Sequence, residues 1–349
     1  MIVRVPDYFK EFSCIAGACK DSCCLGWEID IDEDSYEYYK SLPGEIGDRL
    51  RRDMYKTEDG GHGIKIDKRG RCMMLNEDNL CDLYIAAGEE SLCEVCTDFP
   101  RFGIEYRNVE QKCLSLACEE VARILFSKTE PVKFVEHDLF GENYDDQGVS
   151  EEEALFFEEA QTRLIAILQD RTKPVAQRVS QYIEAANEYQ KKLNKSDITK
   201  DVQWLKFDDI SFDNFIIRFD MVNEMELLRQ VWQDYKNDMK DILNENDYEI
   251  RLKEYMESAD YRENDIEQLL VYFTFRYIMN SIYDSNIIVN AYLCVMFTLI
   301  VRDMNAVRFY KNGGHFTIED QMDVARIFSK EVEHSEGNVE LAKEEIIWG

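Results

Sequence analysis

Residues 14–27 read CIAGACKDSCCLGW, which places Cys14, Cys19, Cys23 and Cys24 within eleven residues on a glycine-containing loop. Thiolates gathered this closely need a backbone that can curl around a shared centre. Soft sulfur donors select zinc, copper(I) or iron–sulfur clusters. A second group follows at Cys72, Cys81, Cys93 and Cys96, ending in a C-x-x-C just before Thr97-Asp98-Phe99-Pro100-Arg101, and a third pair is Cys113 and Cys118. Of eleven cysteines, ten fall between Cys14 and Cys118, and only Cys294 lies apart, in an apolar helical stretch where it reads as a core residue.

A secreted disulfide framework is the competing explanation. The segment Met1 to Lys10 carries charges early and has no apolar h-region, so no export signal is expected there. In a reducing cytoplasm, clustered cysteines read as metal or redox sites. Structural zinc favours two C-x-x-C knuckles, often with histidine. Here there is one knuckle, with His62 the sole nearby histidine, and spacings of four, three, zero, eight and eleven intervening residues. An iron–sulfur cube accepts cysteines from any direction, so one [4Fe–4S] cluster is the favoured occupant, with zinc the alternative and two centres open. The radical-enzyme pattern C-x3-C-x2-C begins at Cys19-x3-Cys23 but fails, because Cys24 follows at once.

Working outward, the fold class expected is mainly α: an irregular cysteine-rich, metal-binding N-terminal domain over 1–127, a connection over 128–150, and an α-helical domain over 151–349. A chain of 349 residues exceeds one comfortable core. Asp32 or Asp34 caps a predicted helix through Tyr36–Leu42, stopped by Pro43-Gly44. A short helix ends at Gly88, and another is expected over Cys113–Ser127, with Val121, Ile124 and Leu125 on one side. The stretch 128–150 shows Pro131, two glycines and no sustained period. Beyond it, helical stripes run through 151–170, 174–193, 219–243, 248–258, 265–283, 286–305 and 320–330. Ile287 to Val301 reads as a buried helix too short to span a bilayer.

Apolar residues make up 45% of the chain and aromatics 12%, values of ordinary folded domains. The formal net charge of −30 argues against nucleic acid as a partner. It keeps the protein soluble, favours a monomer, and could steer a lysine-bearing partner. No strand–glycine turn–helix unit of the dinucleotide type is present. Gly60-Gly61-His62-Gly63 and Gly313-Gly314-His315 read as loops.

Three blocks carry a family resemblance: PDYFKEFSCIAGACKDSCCLGWEIDIDEDSYEYYK from residue 6, LCDLYIAAGEESLCEVCTDFPR from residue 80, and CLSLACEEVARILF from residue 113. They resemble the flagellin lysine-N-methylases, and the cysteine pattern also resembles zinc- or iron-chelating YkgJ-type domains. The likeness is specific in the N-terminal third and general in the helical remainder. It implies methyl transfer from S-adenosylmethionine to lysine side chains of flagellin, without nucleic acid or membrane. It also implies an iron–sulfur centre held by Cys14, Cys19, Cys23, Cys24, Cys72, Cys81, Cys93, Cys96 and Cys118. One departure is Ala117-Cys118-Glu119, where the family block often has proline after the cysteine; its loss could alter the helix start.

Catalytic and cofactor-binding residues stay unknown at this stage. Lysine transfer needs a group that strips the ammonium proton, a role that suits tyrosines and carboxylates, so Tyr36, Tyr38, Tyr39 and Asp30 are candidates beside the first loop. Asp30, Asp32 and Asp34 also invite a calcium reading, but Ser35 and Ser41 stand where an EF-hand needs glycine and glutamate, and capping is the better account. Trp27 is expected to pack beside the cluster, and Arg101 to bind a carboxylate or form a surface ion pair. A different class of function is a non-enzymatic redox-sensing or zinc-stabilised interaction module.

Overall fold

The computed structural model describes the chain apart from residues 28, 58–59, 139–147, 198–201 and 203–204. Among the described residues the fold is mainly helical, with seven strands: β1 (Ile2–Pro6), β2 (Ile29–Ile31), β3 (Met54–Lys56), β4 (His62–Ile64), β5 (Arg101–Tyr106), β6 (Val109–Leu114) and β7 (Phe134–Asp138). Chain contacts divide it into two units. One comprises Met1–Glu11, Gly103–Cys113 and Ala122–Gly349; the other comprises Phe12–Phe102 and Leu114–Val121.

The cysteine-rich unit is built from short pieces. Asp32 accepts from the Ser35 amide and caps the helix Glu33–Ser41. A second helix, Gly44–Asp53, follows directly after Pro43 and was not expected from the sequence. The sheet β2-β4-β3 puts Ile29 and Ile31 inside and leaves Asp30 exposed. Gly63 in β4 is required by a close approach: a Cβ there would lie 2.9 Å from the Tyr55 ring. The glycine run 60–63 is therefore only partly a loop, because His62-Gly63-Ile64 is strand. The helix Asp82–Ala87 ends at Gly88, whose φ of 88° suits a residue without Cβ. Ile29, Ile31, Tyr39, Leu50, Ile64, Met74 and Leu83 form the core with Cys72 and Cys93, and Cys24, Cys81, Cys96 and Trp27 pack against it.

The helical unit carries the sheet β5-β6-β1-β7. β1 runs parallel to β6, with Ile2 opposite Val109, and antiparallel to β7, with Pro6 opposite Phe134. Two expectations are corrected here. Cys113 lies in a strand, and the helix expected from Cys113 begins only at Glu119. The connection holds strand β7, while 139–147 lie outside the described residues.

The expected helices then follow as Glu151–Leu168, Val175–Asn194, Tyr248–Glu257, Glu263–Tyr277, Ile287–Lys311 and Ile318–Phe328. Ser150 with Glu153 and Thr317 with Asp320 form capping boxes at two of their starts. The single helix expected over 219–243 is instead Phe212–Glu224 and Gln230–Ile242. Tertiary partners hold the break: Lys236 donates to the Met225 carbonyl at 2.9 Å, and Arg229 pairs with Glu331 at 2.6 Å. A further helix, Glu336–Trp348, escaped the periodicity. The helix beginning at Ile287 continues to Lys311, so by length and composition alone it could cross a membrane. Its most apolar 18-residue window is nevertheless entirely buried inside the protein.

Candidate metal centre

The first cysteine loop turns through Ala16–Ala18, and the Ala16 amide donates to the Cys14 Sγ at 3.4 Å. The Lys20 amide donates to Glu119 Oε2 at 2.7 Å, which ties the loop to the residue after Cys118. At its other end, the Cys72 amide donates to the Cys24 carbonyl at 2.9 Å, while Cys23 and Cys24 bring their sulfurs to 3.9 Å. Cys81, Cys93 and Cys118 each immediately precede a helix, where amide groups favour the thiolate.

Burial opposes that preference. It pushes Cys19 up to about 12, helped by Cys118, Glu119, Cys14 and Cys23. Burial likewise raises Cys72 and Cys118 to about 11 against the amides of their neighbours, and raises Cys81. Cys93 and Cys96 share a bond: donation from Cys96 lowers Cys93, outweighing its burial, and the same bond raises Cys96. Cys24 is raised first by its bond with Cys23 and then by burial. These thiols are thus close enough for each charge to disfavour the next. At Cys19, Cys24, Cys72, Cys81, Cys96 and Cys118 the balance favours the protonated thiol, whereas at Cys93 the bond from Cys96 favours the thiolate; a metal core would favour the thiolate throughout.

Among the described residues, no three Cys, His, Asp or Glu side chains close on one point as the ligands of a bare ion would. The donor set is nonetheless all sulfur, with the Cys23 and Cys24 sulfurs 3.9 Å apart and Cys72 joined to Cys24 through the backbone. That chemistry fits a thiolate-bound inorganic core. Cys113 stands apart: it lies in the other unit, buried in β6 beside Tyr8, with burial raising it well above the usual thiol range. Cys294 is a fully buried core residue.

The neighbouring candidates have other tasks. Tyr39 is fully buried and donates to the Ser91 carbonyl at 2.8 Å. Tyr36 stacks on His62 at 3.4 Å between centroids, and His62 Nδ1 lies 3.7 Å from Glu33. Tyr38 is exposed. Asp32 serves two helices, accepting from the amides of Ser35 and Glu94 at 2.9 Å each. Burial pushes its carboxyl up, but the Glu94 and Ser35 bonds prevail and hold it below the usual range. Capping therefore accounts for this aspartate. Trp27 packs on Phe99 at 5.6 Å, and Arg101 lies over the Phe12 ring at 5.2 Å.

The helical unit contains a polar constellation that the sequence reading passed over. Arg276 pairs with Glu333 at 3.0 Å, and the hydroxyls of Tyr277 and Tyr272 donate to the same carboxylate at 3.2 and 3.3 Å. Glu333 sits on the π-helical turn Ser329–Glu333. The signal was Tyr272 one turn before the adjacent Arg276 and Tyr277, in the apolar second half of the helix Glu263–Tyr277. Near it, Tyr8, Cys113, Phe134, Gln268 and Tyr272 line a cavity of about 10 Å³, room for a water and not for a nucleoside cofactor.

Residues 161–347 match the family model of the FliB lysine N-methylase C-terminal domain. The helical remainder, whose likeness looked only general, is thus specifically matched. Proteins named lysine-N-methylase from Salmonella typhimurium and Salmonella choleraesuis are each 35% identical over 129 residues, covering 35% of this chain and 32% of theirs. The match therefore spans about a third of the length of those relatives. A flagellar biosynthetic protein, FliU, from Salmonella muenchen is 35% identical over 129 residues and is covered to 76% of its length. No solved structure matches. With more than half of its residues matched by the family model, the chain belongs to the FliB lysine N-methylase family.

Proposed function

We propose that this chain is a cytoplasmic protein-lysine N-methyltransferase. It moves methyl groups from S-adenosylmethionine to lysine side chains of flagellin, with a [4Fe–4S] cluster held by the N-terminal cysteines. The observation that carries the reading is the family match across 161–347, the larger part of the helical unit. The flagellar substrate follows from the names of the relatives, and the thiol group supports the cluster.

The chemistry constrains how such a protein must work. A lysine side chain is an ammonium at neutral pH, and only its free amine can attack a methyl group. The net charge of −30 attracts a lysine-bearing surface over distance, which raises the encounter rate. At the site a base must then take the proton while the amine is held in line with the methyl group. Tyr39 is poorly placed for this, because its hydroxyl is committed to Ser91 inside the core. When bound, the cluster supplies a cationic core that stabilises the thiolates. The cysteines hold it, and their loops fix the short elements between them.

The test is direct. Full-length protein, reconstituted anaerobically with iron and sulfide, is incubated with S-adenosylmethionine labelled in its methyl group and with the flagellins of its own genome. Label on lysine is the expected result; no transfer to any of them overturns the proposal.

A further inference from the structure

Two features divide the nine cysteines. The first is packing. Cys24, Cys72, Cys81, Cys93 and Cys96 all belong to or border the hydrophobic core of their unit, whereas Cys14, Cys19, Cys23 and Cys118 do not. The second is backbone attachment. Cys24 is fastened to Cys72 by the amide–carbonyl bond of 2.9 Å, and Leu75 bridges to Cys81. The loop before Cys23 is fastened instead to Glu119, beside Cys118, at 2.7 Å. Exposure separates the extremes: Cys14 and Cys23 are exposed and Cys72 and Cys93 are buried, with Cys19, Cys24, Cys81, Cys96 and Cys118 in between.

We infer that the nine thiols serve two centres: an outer one on Cys14, Cys19, Cys23 and Cys118, and an inner one drawn from Cys24, Cys72, Cys81, Cys93 and Cys96. Cys23 and Cys24, whose sulfurs lie 3.9 Å apart, mark where the two groups meet. The outer group has one thiol for each corner of a [4Fe–4S] cube, and the inner group has one to spare. The inference rests on the iron–sulfur reading of the preceding section and extends it from one cluster to two.

The test counts iron and acid-labile sulfide in the full chain after anaerobic reconstitution, then follows iron release to a coloured chelator. Two cubes give about eight irons per chain. Cys14→Ser and Cys118→Ser each reduce this to about four, and the remaining centre keeps its electronic spectrum. In the unsubstituted chain, release is biphasic with two equal amplitudes, the exposed outer centre going first. This second readout needs no variant and survives a variant that fails to fold. About four irons in the unsubstituted chain, released in one phase, overturns the two-centre inference while leaving the single cluster standing. A chain that takes up no iron overturns both.

Discussion

The two units of this protein solve the problem of folding in opposite ways. The helical unit is organised around Ile287–Lys311, a helix of 25 residues with nearly every side chain buried. Its neighbours include the long helices Val175–Asn194 and Glu263–Tyr277, and burial of apolar surface is sufficient cause for their order. Among the described residues the cysteine-rich unit has no helix longer than the ten residues of Gly44–Asp53, and two of the nine residues of its core are cysteines. A unit of such short elements around so small a core stands near the margin of stability. The difference teaches that the second unit places thiols where the first places apolar side chains, and on the proposed reading a bound cluster supplies the free energy that so small a core does not.

Metal removal breaks this comparison most severely. By analogy with structural zinc, the loss is worth on the order of 10 kcal/mol to the cysteine-rich unit. Hydrogen exchange after anaerobic chelation should show amides in Phe12–Phe102 losing protection, while those of Ile287–Lys311 keep it. Equal protection in both states contradicts the comparison.

The helical unit should respond to loss of a buried charge instead. Arg218 meets Asp303 at 2.7 Å with both side chains about 1% exposed, and the Tyr248 hydroxyl donates to the same carboxylate at 3.1 Å. Asp303→Leu strands the guanidinium and should cost about 3–5 kcal/mol in denaturant titration. Combining it with Arg218→Met should recover much of that. Metal loading should not change in either case.

Acidity sharpens the contrast further. Burial holds Cys19 near 12 and Cys72 and Cys118 near 11, so below those values each ligand must give up a proton to bind metal. Metal affinity therefore falls as pH falls, by about 1.4 kcal/mol per displaced proton for each pH unit. Calorimetry in buffers of different ionisation enthalpy should detect the released protons; binding that is independent of pH contradicts the assignment. The smallest effect expected is at Asp32, which caps the helix at Glu33 and also holds the Glu94 amide near Cys96. Asp32→Ala should cost about 1–2 kcal/mol and speed iron release, whereas Asp32→Asn, whose single amide oxygen can still accept from Ser35 and cap the helix but leaves the Glu94 amide without its partner, should cost less.

Legibility in the sequence divided along the same line. The long helices showed because apolar residues repeat for many turns; on the stripe read along 151–170 through Leu155, Phe156, Ala160, Leu164 and Ile167, Ala160 and Leu164 are buried, whereas Leu155 is exposed. The four-stranded sheet did not show, because its pairings join the two ends of the N-terminal region. Val109 can be seen opposite Ile2 only once the chain is folded. A local signal existed at Arg107, whose φ of 51° makes the turn between β5 and β6, but the apolar run after Cys118 pulled the helix reading back to Cys113. The interruption near Met225 lacks glycine or proline and is imposed by Lys236, Asn338 and Glu331 from elsewhere in the unit. Cysteine number and spacing pointed to metal chemistry at once. Which thiols lie together depends on Cys24 meeting Cys72, and Lys20 meeting Glu119, contacts that no spacing encodes.

The central claim is that sulfur atoms from separate stretches of the N-terminal region surround inorganic cores. Elemental analysis of full-length protein prepared anaerobically tests it most directly. The account predicts iron and acid-labile sulfide in equal amounts, with the thiols of Cys14 to Cys118 other than Cys113 protected from alkylation. Protein free of iron and sulfide, with those thiols alkylated as readily as in the unfolded chain or joined as disulfides, would contradict it.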